Sequence, residues 1–197
     1  MHDAYISLPG AATLRLTRPE AKDIVCITHS MGIATPPDGI TAALVYAGKG
    51  SADEYARAGA AGKIALVEGR ATPQHAVDAT RAHARRVICI SGRHAHEMCC
   101  SPVWRNPSET TAAQMPRVHV LSMHKAEGEA LRDLCRKGPV EAHITAAVET
   151  KWTKTPIVLA DLAPGHGEAE AEKFVLFSGH PDGWPSLTTA CRPWAVR

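Results

Sequence analysis

Residues 62–91 read GKIALVEGRATPQHAVDATRAHARRVICIS. Lys63 to Glu68 and Val87 to Ser91 are short apolar runs, too short for buried helices, and read as buried strands. Between them, Thr72 followed by Pro73 is an N-cap with proline at the first helical position, which opens a helix to about Ala84. Upstream, Thr41 to Tyr46 is another buried strand ending at Gly48. Ser51-Ala-Asp-Glu54 then forms a capping box, and the helix through Tyr55 and Ala58 stops at Gly59, which accepts a left-handed backbone. Downstream, Val118 to Ser122 reads as a strand, and Lys125 to Lys137 as a helix with Ala130, Leu131 and Leu134 on one face, ended by Gly138. Val140, Ala142, Ile144, Ala146 and Val148 alternate with Glu141, His143, Thr145 and Glu149, the period of a half-exposed strand. Ile157 to Leu162 and Phe174 to Phe177 are further strands, joined by a solvated loop over 164–172. Residues 94–115 lack a period, contain Pro102 and Pro107, and read as a long loop; long loops in compact domains are often functional. Strands dominate, helices are short and one strand has a wet face. The expected fold is α+β, with a mixed sheet or partial barrel flanked by short helices, not a doubly wound sheet.

The 197 residues suffice for one good core with a small appendage. Hydrophobic residues make up 45% and aromatics only 5%, so Val, Ile, Leu and Ala must build that core. The net charge is +2, and the longest basic run, Arg85-Arg86, is expected to be solvated surface, which argues against a nucleic-acid partner. No apolar run approaches the roughly 20 residues of a membrane span, and the first ten residues lack a secretion-signal pattern, so a cytoplasmic location is expected. Six cysteines form no C-x-x-C pair, which fits a reduced compartment. Cys89 reads as a small buried hydrophobe.

Three motifs invite a chemical reading. Gly48-Lys-Gly50 lacks the third glycine and the following Gly-Lys-Ser/Thr of nucleotide loops, and reads as a turn before a capped helix. His94, His96, Glu97, Cys99 and Cys100 offer imidazole and thiolate ligands suited to zinc or copper. Structural zinc sites draw on two separated pairs, however, and this cluster has no partner pair, so a polar loop with two buried thiols is expected. Ser178-Gly-His180-Pro-Asp182 follows the apolar run Lys173 to Phe177, which delivers His180 at the end of a strand. There an imidazole can bind metal through one nitrogen while a nearby carboxylate accepts from the other.

Several segments, in order, resemble the di-zinc exopeptidases related to aminopeptidases, glutamate carboxypeptidase and the transferrin receptor, which often carry an inserted protease-associated domain. Ala43 to Gly50, Gly62 to Gly69 and Ala79 to Ser91 resemble that domain's strands and helix-to-strand step. His96-Glu-Met98 with Ser101-Pro-Val-Trp104 resembles a loop of a bacterial branch, and Met115 to Ser122 with Gly128 to Leu131 resembles the closing strand and helix. KFVLFSGHPDGW, residues 173–184, is similar to the entry to the catalytic domain. The resemblance implies a peptidase-domain remnant over 1–39, a protease-associated-like domain over 40–150, the first strands of a zinc peptidase domain over 151–184 and an aberrant tail over 185–197. It implies His180 as a vestigial zinc ligand and Asp182 as its hydrogen-bond partner.

The remaining ligands and the general base of that family do not follow: residues 183–197 contain no Asp, Glu or His. One imidazole cannot hold a catalytic zinc, which needs about three protein ligands. The chain is therefore expected to be a truncated or frameshifted, non-catalytic module that shapes substrate access or protein contacts, with zinc belonging to the parent family and none bound here. Two other readings stand beside it: an active zinc exopeptidase that completes its site with another chain, and a small metal-binding protein using His94, His96, Cys99 and Cys100. A peptide or protein partner is expected, without nucleic acid or membrane.

Overall fold

The structure is a computed structural model and describes residues 2–103 and 106–156. Eight strands form one sheet: β1 (His2–Arg18), β2 (Lys22–Ile24), β3 (Cys26–Thr28), β4 (Ile40–Tyr46), β5 (Ile64–Glu68), β6 (Arg86–Ile90), β7 (His119–Met123) and β8 (Val140–Thr155). Across the sheet they run β2-β1-β8-β4-β5-β6-β7-β3. The β4-β5-β6-β7 pairings are parallel and the others antiparallel, so the sheet is mixed. Helices α1 (Ala52–Arg57), α2 (Pro73–Arg81) and α3 (Lys125–Lys137) are short. The fold is α+β.

β5, β6 and β7 are buried on both faces, and their period of two splits the apolar residues between two cores. Ile64, Leu66, Ile88 and Leu121 meet Leu14 and Leu16 of β1, Ile144 of β8 and Leu131 of α3. Ala65, Val67, Val87 and Cys89 face the other way, onto Tyr55 of α1 and Ala76 and Ala79 of α2. Both helix starts follow their sequence signals: Ser51 closes a full capping box with Glu54, and the Thr72 hydroxyl accepts from the His75 amide with Pro73 in the first turn. β2 and β3 are nearly one strand, interrupted at Val25. The first half pairs with β1 and the second with β7, which draws the two ends of the sheet together into a partial barrel. Thr28 Oγ1 donates to Gly10 O (3.2 Å) and the Met31 amide to Ser7 Oγ (2.8 Å) across that closure.

Three local expectations are corrected. α2 ends at Arg81, short of Ala84, because His83 turns to φ 53°. Ala130 faces solvent, whereas Leu131 is buried beside Gly128 and Leu134 packs against the core as expected. Arg86 is not solvated surface but 2% exposed, because strand alternation points it to the same side as Ile88. Its Nη1 donates to Arg85 O (2.6 Å), Nε and Nη2 have no partner among the described residues, and burial lowers its pKa to about 10. β1 pairs along β8 from His2 to Arg18, and β8 runs from Val140 to Thr155.

Gly128 explains how closely α3 can approach. A Cβ there would lie 2.5 Å from Ile90 Cγ2 and 3.0 Å from Ile90 Cβ, closer than side chains tolerate. Helix propensity alone favours Gly128→Ala by about 1 kcal/mol, but overpacking costs typically about 1–3 kcal/mol. The crowding includes the branched Cβ of Ile90, which cannot swing aside, so the substitution is expected to destabilise by about 1 kcal/mol or more. Urea melts decide the sign; a stabilised variant would mean that α3 shifts on the sheet freely.

Candidate functional site

His180 and Asp182, and the expected strands over 157–162 and 174–177, lie outside the described residues. The four-residue metal cluster lies inside them and does not converge. His94, His96 and Cys99 face solvent while Cys100 is fully buried, because successive side chains of an extended segment point opposite ways. The expectation of two buried thiols therefore holds for one only. The His94 and His96 rings are 6.4 Å apart between centroids. Burial holds the Cys100 thiol well above its usual range and pushes Cys89 to about 12, so neither readily supplies the thiolate a metal needs. Among the described residues, no three His, Cys, Asp or Glu side chains are gathered closely enough to hold a metal ion. As they stand, these four residues do not fit zinc.

The Gly48-Lys-Gly50 turn is likewise committed elsewhere. The Glu54 carboxylate accepts from the Ser51 hydroxyl (2.7 Å) and amide (3.0 Å) and from the Lys49 amide, which together hold its pKa down at about 2. The amides that would cradle a phosphate are taken by this carboxylate. Gly48 sits at φ 55°, and a Cβ there would lie 2.2 Å from Glu54 Oε1, which explains the glycine.

Parallel strands need a crossover. Between β6 and β7 that crossover is the long segment 91–118, whose one helical turn among the described residues is Ala112–Gln114. It is held by His29, a residue not singled out from the sequence. The Met98 amide donates to His29 Nδ1 (3.0 Å), so the neutral ring carries its proton on Nε2 and donates to Ser122 Oγ (2.8 Å). Both His29 and Ser122 are fully buried. This pairing has a serine and a histidine in contact, but the imidazole is the donor and cannot take the hydroxyl proton. Burial lowers its pKa to about 4. Its task is to clamp the crossover, together with Ser30, whose carbonyl accepts from the Cys100 amide (3.0 Å). Farther along, Asn106 pairs with the Tyr5 backbone, accepting from its amide (3.1 Å) and donating to its carbonyl (3.3 Å).

A concave surface lies where β1 bulges. Pro9 faces Val148 and Ala12 faces Ala146, so two residues of β1, Gly10 and Ala11, oppose Ala147 alone. A bulge bends its strand, and the bend opens a cavity of about 630 Å³ against residues 34–37. Pro9, Ala11, Pro36, Pro37, Ala147 and Val148 make it mostly apolar, with Thr35, Thr145 and Glu149 as its polar groups. The Thr35 amide donates to Ala146 O (2.9 Å) and its hydroxyl accepts from the Ala146 amide (3.0 Å), fixing one wall. Among the described residues that line it, Glu149 is the one carboxylate.

No protein-family model matches this chain, and no curated protein matches it. Solved structures do match its fold. An aminopeptidase from Aneurinibacillus sp. strain AM-1 superposes with a TM-score of 0.60 at 22% identity, over 77% of this chain and 34% of that one. A peptidase M28 precursor from Shewanella amazonensis SB2B gives 0.55 at 18% identity over 77% and 38%, and BSAP, a zinc aminopeptidase from Bacillus subtilis, gives 0.54 at 24% over 77% and 35%. The chain is thus similar in fold to a part of these aminopeptidases and spans little more than a third of their length.

Proposed function

We propose that this chain is a peptidase-related, protease-associated-type module that receives a protein or peptide segment and does not itself cut it. The observation that carries this reading is the apolar groove at the β1 bulge, on a fold that otherwise occurs within aminopeptidases. A groove of this size, with apolar walls and few polar groups, suits an apolar stretch of extended chain. In the same reading, His180 is a vestigial zinc ligand with Asp182 behind it, an assignment that rests on the resemblance of residues 173–184 to the entry of a zinc peptidase domain. The parent family uses zinc; this chain is proposed to bind none.

The test has two arms. Short apolar peptides are expected to slow hydrogen exchange at residues 146–149 and 35, and Ala147→Arg, which fills the groove with a charged side chain, is expected to abolish the effect. Failure of every peptide would remove the groove from the proposal. The full chain with added zinc or cobalt is expected to release no terminal amino acid, and His180→Ala is expected to move stability by less than about 0.5 kcal/mol, as substitutions outside special sites do. Metal-dependent release that disappears in His180→Ala would replace this reading with an active exopeptidase.

A further inference from the structure

The sheet does not end where its core ends. β4 leaves β8 at Ile144 and β2 leaves β1 after Leu14, yet β1 and β8 continue paired from Pro9–Val148 out to His2–Thr155. The result is a two-stranded arm, and two strands alone are marginal in water. The β1 edge of this arm is guarded by Asn106, which pairs with the Tyr5 backbone. The β8 edge is bare: among the described residues, no backbone hydrogen bond reaches it beyond Ala146. Because Ala146 turns its amide and carbonyl to this edge, alternation turns those of Val148, Thr150 and Trp152 to it as well.

We propose that this edge pairs with the same edge of a second copy of the chain, antiparallel and with Thr150 facing the partner's Thr150. The sequence of the edge, Val148-Glu-Thr-Lys-Trp152, is complementary to itself in that register. Glu149 faces the partner's Lys151 and Lys151 the partner's Glu149, while Val148 lies beside the partner's Trp152, twice over. Within one chain Glu149 and Lys151 pair with each other at 2.5 Å and are half or more exposed, so dimer formation would exchange this local contact in the two chains for two across the edge. Shifting the centre of symmetry by one residue either way would oppose Lys151 to Lys151 or Glu149 to Glu149, and directly facing like charges are unfavourable. The charges thus select one register. Trp152, 44% exposed and stacked on Tyr5 at 5.0 Å, would extend its apolar contact onto the partner's Val148. Three directly facing pairs would exchange about six backbone hydrogen bonds and turn two marginal arms into one four-stranded sheet. The inference uses the arm alone and does not depend on the peptidase reading.

Sedimentation equilibrium of the full chain over a concentration series tests it. A reversible dimer is expected, weakened about tenfold or more by Lys151→Glu, which sets like charges face to face twice, and restored to within about threefold by Glu149→Lys with Lys151→Glu. Thr150→Pro is expected to give monomers, since it removes an edge-facing N–H without touching the β1 ladder. Amide exchange at Thr150 and Trp152 should slow as concentration rises. A chain that stays monomeric, a dimer indifferent to these charges, or protection of those amides that does not depend on concentration (the edge then being covered by the chain's own residues 157–197) would each overturn the proposal.

Discussion

Leu66→Ala is expected to lower stability by about 2–5 kcal/mol, the range for deleting most of a buried leucine. The reason is position. Leu66 is fully buried, lies on the central strand β5, and faces Tyr46 of β4 on one side and Ile88 of β6 on the other. Its side chain enters the core shared by β1, β8 and α3, so the cavity left by alanine would be walled by Ile64, Ile88 and Ile144, all held by backbone ladders that resist collapse. Cost grows with the cavity that remains, and a rigid surround leaves more of it. Val25→Ala is the control. Val25 is 56% exposed in the break between β2 and β3, where a substitution moves stability by about 0.5 kcal/mol or less. Denaturant melts with unchanged slope would establish the ranking; a Leu66→Ala cost below about 1 kcal/mol would mean that β5 is not central.

The same strand shows what sequence can and cannot convey. β4 to β8 and all three helices announce themselves through local signals: apolar runs bounded by glycine, Ser51 with Glu54, Thr72 with Pro73, Gly138 after the last basic turn. β1 does not. Opposite the even-numbered residues of β8 it sets odd-numbered residues before the bulge, as Tyr5 to Trp152, and even-numbered ones after it, as Leu14 to Ile144. One shift of phase erases the period-two pattern, and Pro9 argues locally against a strand. The partner that makes residues 2–18 a strand lies more than a hundred residues away, so no window of sequence contains the reason.

The candidate sites divide in the same manner. The capping box was legible because its residues are neighbours in the chain. His94, His96, Cys99 and Cys100 are also neighbours, but an extended backbone scatters their side chains, and nearness in sequence proved a poor guide to convergence. The groove was invisible because it is made by a bulge, a loop and a distant strand. His29 gave no signal either: its partners are Met98 and Ser122, reached only after β3 is laid against β7.

Stability is expected to fall by about 3 kcal/mol between pH 7 and pH 4 through His29. The imidazole titrates near 6.5 in the unfolded chain and only at about 4 when buried. Between those values the unfolded state binds the extra proton, so stability rises with pH across the window and is lost as the solution is acidified. Each pH unit of difference is worth about 1.4 kcal/mol, giving about 3 kcal/mol for the full interval. Protonation inside the fold is opposed twice, by loss of water and by the Met98 amide, which already occupies the Nδ1 lone pair. His119 acts in the same direction, lowered to about 4 by burial and the Arg86 charge, but its Nδ1 donates to Ile33 O and loses no bond when the ring is charged. Glu97, raised by burial, works the other way as acid protonates it, whereas Glu54 loses its capping contribution only between about 4.5 and 2. Melts at pH 7, 5.5 and 4.5 should therefore show most of the loss before the carboxylate range is reached. His29→Gln, which has no titrating ring, should start less stable at pH 7 and decline more gently. If its stability falls as steeply as that of the parent chain, the acid sensitivity belongs to another group and the clamp on the crossover is not its origin.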